Sequence, residues 1–155
     1  MKILVVGGGG REHAIIKKIK ENKAVETIYA LPGNGGIAKD AVCVDIKATD
    51  IEAVRDFAIK EKIDFAIVAP DDPLVLGMVD ELEGNGIPCF GPSKRAAIIE
   101  GSKALSKDLM RNFNIPTAKY EIFDDAAKAK AYIDEHHAPI VIKADGLALG
   151  KGVII

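Results

Sequence analysis

The stretch VVGGGGREHA, residues 5–14, sets Gly7 to Gly10 directly before Arg11 and Glu12. Where a helix begins, bare backbone N–H groups attract anions, and an arginine beside them suits a phosphate. A carboxylate in the same place suits hydroxyls or an amine. The alternative is a tight strand-to-helix turn that holds no ligand. His13 reads as a helix-face or supporting residue, because the sequence assigns it no carboxylate or serine partner.

A second stretch, PIVIKADGLALGKGVII, residues 139–155, ends an apolar run in Lys143 and places Lys151 in a glycine-rich loop. Such a loop between two β-type segments is a flap that lays backbone amides and Lys151 over phosphates. In an alternating strand Lys143 shares a face with Val141, while Ile140 and Ile142 share the other. If both faces are covered, the ammonium is drawn inward, which is costly without an anion, and a triphosphate supplies one. A lysine snorkelling to solvent is the alternative. Lys103 and Lys107 lie four apart on one helical face, as solvated lysines or as further ligands.

Neither loop fits a common nucleotide motif. Counted from Gly7, the dinucleotide fingerprint meets Glu12 in its third glycine position; counted from Gly8 it meets His13. The second β-type run ends in Ala30 and Leu31, without the acidic residue that would hold a ribose hydroxyl, so NAD is disfavoured. GLALGKG is not a Walker loop either, since Lys151 precedes Gly152 and the following segment is β-like.

The elements that position these loops follow from short apolar runs alternating with amphipathic segments. Strands are expected over 2–6, 25–31, 41–46, 64–70 and 87–92. Helices are expected over 11–20, from Thr49 or Asp50 to about Lys62, and from Leu74 to Leu82. Continuous apolar strands separated by helices argue for a doubly wound parallel α/β sheet. In such a sheet PGNGG (32–36) and APDDPLVLG (69–77) leave from the same carboxyl edge as the first glycine cluster. Each alone reads as an ordinary turn or helix cap, and three together are better evidence of a site.

Ser93 and Ser102 read as caps of two further helices, the second carrying a stripe of Leu105, Leu109 and Phe113. KYEIF (119–123), PIVIK (139–143) and GVII (152–155) read as strands and 124–137 as a helix. A domain boundary is placed near Gly101. The residues after it are too few to close a core, so the chain reads as the opening part of a longer enzyme.

Composition narrows the function. Of 155 residues, 48% are hydrophobic and 28% charged, the balance of a globular domain, with apolar runs too short for a bilayer. A net charge of −2, three tyrosines and no tryptophan give no basic or aromatic platform for nucleic acid. Cys43 and Cys89 form no CxxC pair and read as buried thiols of a reducing cytoplasm.

The motifs VVGGGGREHA, PGNGG, PLVLG, FGPSKRAAIIEGSKALSKDLM, NIPTAKYEIF and PIVIKADGLALGKGVII stand in this order along nearly the whole chain. In order and spacing they resemble the N-terminal portion of the glycinamide ribonucleotide synthetase (phosphoribosylamine–glycine ligase) family of ATP-grasp enzymes. The resemblance implies that residues 1–101 form an N-terminal α/β substrate-binding domain. Phosphoribosylamine would meet Gly9, Gly10, Arg11, Glu12, Pro32, Gly33, Asn34, Asp71 and Pro73. Residues 102–155 would begin the ATP-grasp domain, with Lys107 and Lys143 touching ATP and Gly146, Leu147, Gly150, Lys151 and Gly152 belonging to its flap. One departure is visible: where the family has Gly-Pro-Glu-Ala-Pro-Leu-Val, Ala69 replaces the glycine and Asp71 the glutamate, which keeps the charge on a shorter arm.

By the same resemblance the reaction joins glycine to 5-phosphoribosylamine, turning ATP into ADP and phosphate through glycyl phosphate, in purine biosynthesis. Mg2+ or Mn2+ would accompany ATP, with catalytic and metal-binding residues beyond Ile155 and none within this chain. The implied partners are these small molecules and the rest of the same polypeptide, a monomer when intact, with neither nucleic acid nor membrane. Residues 1–155 alone are expected not to turn over. Two rivals stand beside this reading: another ATP-grasp ligase or carboxylase acting on a different acid, and a nucleotide-sensing module without chemistry.

Overall fold

The computed structural model describes residues 1–148 and 152–155. Its chain divides into two compact units, Met1–Ala97 and Ile98–Ile155.

The first unit is a five-stranded sheet in the order β3-β2-β1-β4-β5. Strand β1 (Lys2–Gly7) is its centre, flanked by β2 (Thr27–Pro32) and β4 (Phe65–Val68), with β3 (Val42–Cys43) and β5 (Cys89–Phe90) outermost. Every pairing is parallel. Helices α1 (Gly10–Ile19), α2 (Ile51–Glu61), α3 (Asp71–Leu76) and α4 (Met78–Gly84) make the crossovers, and α5 (Lys94–Gly101) follows β5.

The period of two along β1 decides which helix covers which face. Leu4 and Val6 join Val54 and Ala58 of α2, Leu74 of α3 and Met78, Val79 and Leu82 of α4 in one core. Ile3 and Val5 turn the other way, to Ile16 of α1 with Ile28, Ala30, Ile37 and Ile67. Both faces of the sheet are thus covered, as continuous apolar strands require. Leu4, Val5 and Val6 are fully buried, each stabilising the fold by about 1.5–3 kcal/mol relative to exposure.

Several element boundaries differ from the sequence pattern. The outer strands shrink to two residues each because β3 pairs only through Tyr29↔Val42 and Ala30↔Cys43, and β5 only through Ala66↔Cys89 and Ile67↔Phe90. The expected helix over 74–82 is two helices, broken at Gly77, whose φ of 101° no helix accommodates. Asp50, rather than Thr49, caps α2 by accepting from the Ala53 N–H.

The second unit holds α6 (Lys103–Asn112), α7 (Ala126–His136) and an antiparallel pair, β6 (Ile142–Lys143) and β7 (Val153–Ile154). KYEIF is not a strand. Side chains hold its approach to α6 instead: Lys107 Nζ donates to Thr117 Oγ1 at 2.7 Å and to the Ala118 carbonyl at 3.0 Å. Tyr120 donates its hydroxyl to Asp108 at 2.7 Å. The expected stripe of α6 is open to solvent at both ends, Leu105 being 43% and Phe113 70% exposed.

Candidate active site

In the first unit the register brings three loops to one edge. Gly7 of β1 stands beside Pro32 of β2, and Val6 beside Val68 of β4, so the loops after β1, β2 and β4 leave side by side. The strand order reverses between β1 and β4, which in open α/β sheets is where a ligand crevice forms.

Glycine permits this crowding. Gly7 has φ 121°, and a Cβ there would meet the Pro70 ring at 2.7 Å and Glu12 Cγ at 2.8 Å. At Gly8 a Cβ would stand 2.4 Å from the Gly33 carbonyl oxygen. The loops are also hydrogen-bonded together. Gly33 N–H donates to the Gly7 carbonyl at 3.2 Å, and Asn34 Nδ2 donates to the Gly8 carbonyl at 2.7 Å. Asn34 Oδ1 accepts from Gly36 N–H and Ile37 N–H at 2.7 and 2.9 Å.

Glu12 carries the unusual chemistry of this edge. It is buried, at 3% exposure. Its Oε2 accepts from the Gly9 N–H at 2.5 Å, but Oε1 is buried without a hydrogen-bond partner. A carboxylate oxygen so placed calls for a donor, since leaving it unpaired costs about 1–3 kcal/mol or more. Arg11 is exposed on the same turn, its guanidinium 3.9 Å from Asp71 of α3. Gly9 and Gly10 lie exposed at the start of α1.

The sequence-assigned contacts divide on inspection. Gly9, Gly10, Arg11, Glu12, Pro32, Gly33, Asn34 and Asp71 all lie in or beside the three loops. Pro73, by contrast, lies within α3 with its side chain fully buried, and its carbonyl accepts from Gly77 N–H. The Asn34 amide is committed largely to loop closure, and Gly33, at φ 70°, is where a Cβ would stand 2.4 Å from Cys43 Sγ. Cys43 and Cys89 are only partly buried.

One contact needed the fold to become visible. His13 Nε2 lies 3.1 Å from Asp40 Oδ2, and Lys20 and Lys17 stand 3.1 and 3.4 Å from the same carboxylate. The His13 contact, then Lys20, holds the Asp40 carboxyl well below the usual carboxylate range. This brace pins the chain that follows β2 onto α1.

In the second unit Lys143 does not turn inward. It is exposed, as are Val141 and Ile142 at 52% and 48%, because among the described residues β6 has one partner strand and nothing covers either of its faces. Gly146 (φ 82°) has open space where a Cβ would be, and Leu147 is exposed. At Gly152 a Cβ would stand 2.7 Å from Ala148 Cβ, and its carbonyl accepts from Ala144 N–H at 2.8 Å. Gly150 and Lys151 lie outside the described residues.

One residue here, Asp145, went unread in the sequence. Asp145 Oδ1 accepts from the Lys103 and Ala104 N–H groups at 2.7 and 3.2 Å, and Ser102 Oγ donates to the same carboxylate at 3.1 Å. Lys103 Nζ donates to the Gly146 carbonyl at 2.5 Å. The bond from Ala104 leads in holding the Asp145 carboxyl below its ordinary range. An Asp-Gly pair one residue beyond the end of a strand was the available signal.

The family model described as "Phosphoribosylglycinamide synthetase, N domain" matches residues 1–100, and that of the same synthetase's ATP-grasp (A) domain matches residues 101–155. The chain belongs to the phosphoribosylglycinamide synthetase family. It is 53% identical over all 155 residues to a phosphoribosylamine–glycine ligase of Caldanaerobacter subterraneus subsp. tengcongensis, of which it covers 37%. With one of Listeria monocytogenes it is 54% identical over 156 aligned residues, again all of this chain and 37% of the relative.

Among synthetase structures, the phosphoribosylamine–glycine ligase of Thermotoga maritima superposes with a TM-score of 0.77 at 28% identity, over 99% of this chain and 35% of that one. A biotin carboxylase–β,γ-ATP complex from Campylobacter jejuni superposes at 0.79, over 99% of this chain and 37% of that one, and at 20% identity it shows the shared fold alone. This synthetase-family chain thus spans about 37% of the length of the curated relatives it matches. Among its described residues no group of three or more His, Cys, Asp and Glu side chains is arranged to hold a metal ion.

Proposed function

We propose that this chain is the substrate-binding and first ATP-binding portion of a cytoplasmic phosphoribosylamine–glycine ligase, monomeric when whole. Glycine's carboxylate attacks the γ-phosphorus of ATP; the bond to ADP breaks and glycyl phosphate forms. The amine of 5-phosphoribosylamine attacks the acyl carbon, a C–N bond forms, and phosphate and a proton leave. The first step is needed because a free carboxylate is a poor electrophile. Catalysis then rests on positioning and on neutralising phosphate charge.

The roles follow residue by residue. The amides of Gly9 and Gly10, with Arg11, suit the 5-phosphate, and Pro32, Gly33 and Asn34 shape the wall beside it. Glu12 Oε1 accepts an N–H of the amine, and Asp71 holds Arg11 from α3. Lys107 and Lys143 meet the ATP phosphates, with Gly146, Leu147, Gly150, Lys151 and Gly152 as the flap. For Lys107 this requires release from Thr117 and Ala118. Mg2+ or Mn2+ accompanies ATP, held by residues outside those described.

The observation that carries this reading is the buried, unpaired Glu12 Oε1 at the β1–β4 crevice of a synthetase-family N domain. The test is ATP turnover by a full-length chain carrying these residues, scored by phosphate release and product mass. Phosphate release that requires both glycine and phosphoribosylamine is expected. Turnover with bicarbonate or another acid in place of glycine overturns the assignment.

A further inference from the structure

We propose that Asp145 is a positioning residue, locking the end of β6, which carries Lys143, onto the first turn of α6, which carries Lys107. The inference rests on the reading that these two lysines meet ATP. The first four N–H groups of a helix have no partner within it, and around α6 each can be traced. Ser102 N–H donates to the Ile98 carbonyl at 2.8 Å and Leu105 N–H to Ser102 Oγ at 3.1 Å. The remaining two, on Lys103 and Ala104, both go to Asp145, more than forty positions away in sequence.

A local cap from Ser102 would have sufficed to start the helix. The distant carboxylate adds a connection between elements. It is reciprocated, because Lys103 Nζ returns to the Gly146 carbonyl at 2.5 Å. Lys103 and Lys107 share a helix face, so the side of α6 that bears Lys107 is the side that grips Gly146. Charge-assisted bonds from a carboxylate to backbone N–H groups are among the stronger ones, and burying ligand phosphates between two lysines needs their spacing fixed beforehand.

The test compares variants of a full-length chain carrying these residues, measuring KM for ATP, glycine and phosphoribosylamine separately. Asp145→Ala is expected to raise KM for ATP at least tenfold while the other two stay within twofold. Asp145→Asn, which keeps an acceptor oxygen, should fall between, and it is read by the same criteria if the alanine variant does not fold. Ser102→Ala removes the local cap and one of the bonds to Asp145 while leaving the two from Lys103 and Ala104, so it should lower the melting temperature and raise KM for ATP by less than Asp145→Ala does. An unchanged KM for ATP in Asp145→Ala overturns the inference, as does an equal rise in Ser102→Ala, which would reduce Asp145 to a stabiliser of the helix. If Lys107→Met and Lys143→Met leave KM for ATP unchanged, the ATP reading itself falls and takes this inference with it.

Discussion

Asn34 donates its side-chain amide to the carbonyl of Gly8 at 2.7 Å, closing the loop after β2 onto the loop after β1. With Oδ1 accepting from Gly36 and Ile37, one side chain organises both walls of the crevice. The glycines make room for this contact, and the amide fixes it.

Replacing that amide therefore tests loop order. Asn34→Ala removes three hydrogen bonds and is expected to destabilise the first unit by about 1–3 kcal/mol. Asn34→Asp keeps the acceptor and sets a carboxylate against the Gly8 carbonyl, so it should do no better. Thermal unfolding followed by circular dichroism checks both.

The glycines of the first loop should not be equivalent. Gly8→Ala drives a Cβ to 2.4 Å from a backbone carbonyl, so the loop must shift and the melting temperature should fall. Gly10→Ala meets no atom within 4 Å at the start of a helix. There alanine should be neutral or stabilising by up to about 1 kcal/mol. Parallel melts of the two variants would expose any failure of this contrast.

Asp40 predicts an acid limb. Its carboxyl is depressed in the fold, first by His13 and then by Lys20. Below the usual aspartate pKa of about 3.9 the unfolded chain takes up a proton that the folded chain refuses. The stability this group contributes is therefore present above that pH and is lost as pH falls towards the lower folded value. Asp40→Asn should flatten urea-midpoint curves measured between pH 5 and pH 2; unchanged slopes would refute the brace.

Cys89 should be inert. Burial, followed by the neighbouring Glu83 charge, pushes its thiol up to about 12. The thiolate is the reactive form, so at pH 8 iodoacetamide should leave Cys89 unmodified in the folded chain and alkylate it in urea. Peptide mass spectrometry at timed intervals reads the difference.

Glu12 separates stability from binding. Glu12→Gln keeps the Gly9 contact through its amide oxygen and removes a buried charge, so the melting temperature should hold or rise. With the unpaired Oε1 acceptor replaced by an amide N–H donor, KM for phosphoribosylamine should rise at least tenfold in a full-length chain. Equal KM values would remove Glu12 from the site.

The amino-acid order alone determined the parallel α/β pattern, a cap at Thr49 or Asp50 and another at Ser102, and the glycine loops at strand ends. Each rests on neighbours within a few residues, where apolar period, capping oxygen and missing Cβ act directly. Tertiary structure alone decided the rest. It left Lys143 on an uncovered strand, kept KYEIF out of a sheet, buried Pro73, and sent Asp145 to a helix whose residues lie far back in the chain. Glu12 belongs to both: its type suggested hydroxyls or an amine, but only the closeness of Gly7, Pro70 and Gly9 buried it and left one oxygen unpaired. The physical reason is that propensity is local, whereas the partner of a polar group is chosen by which strands the topology sets side by side.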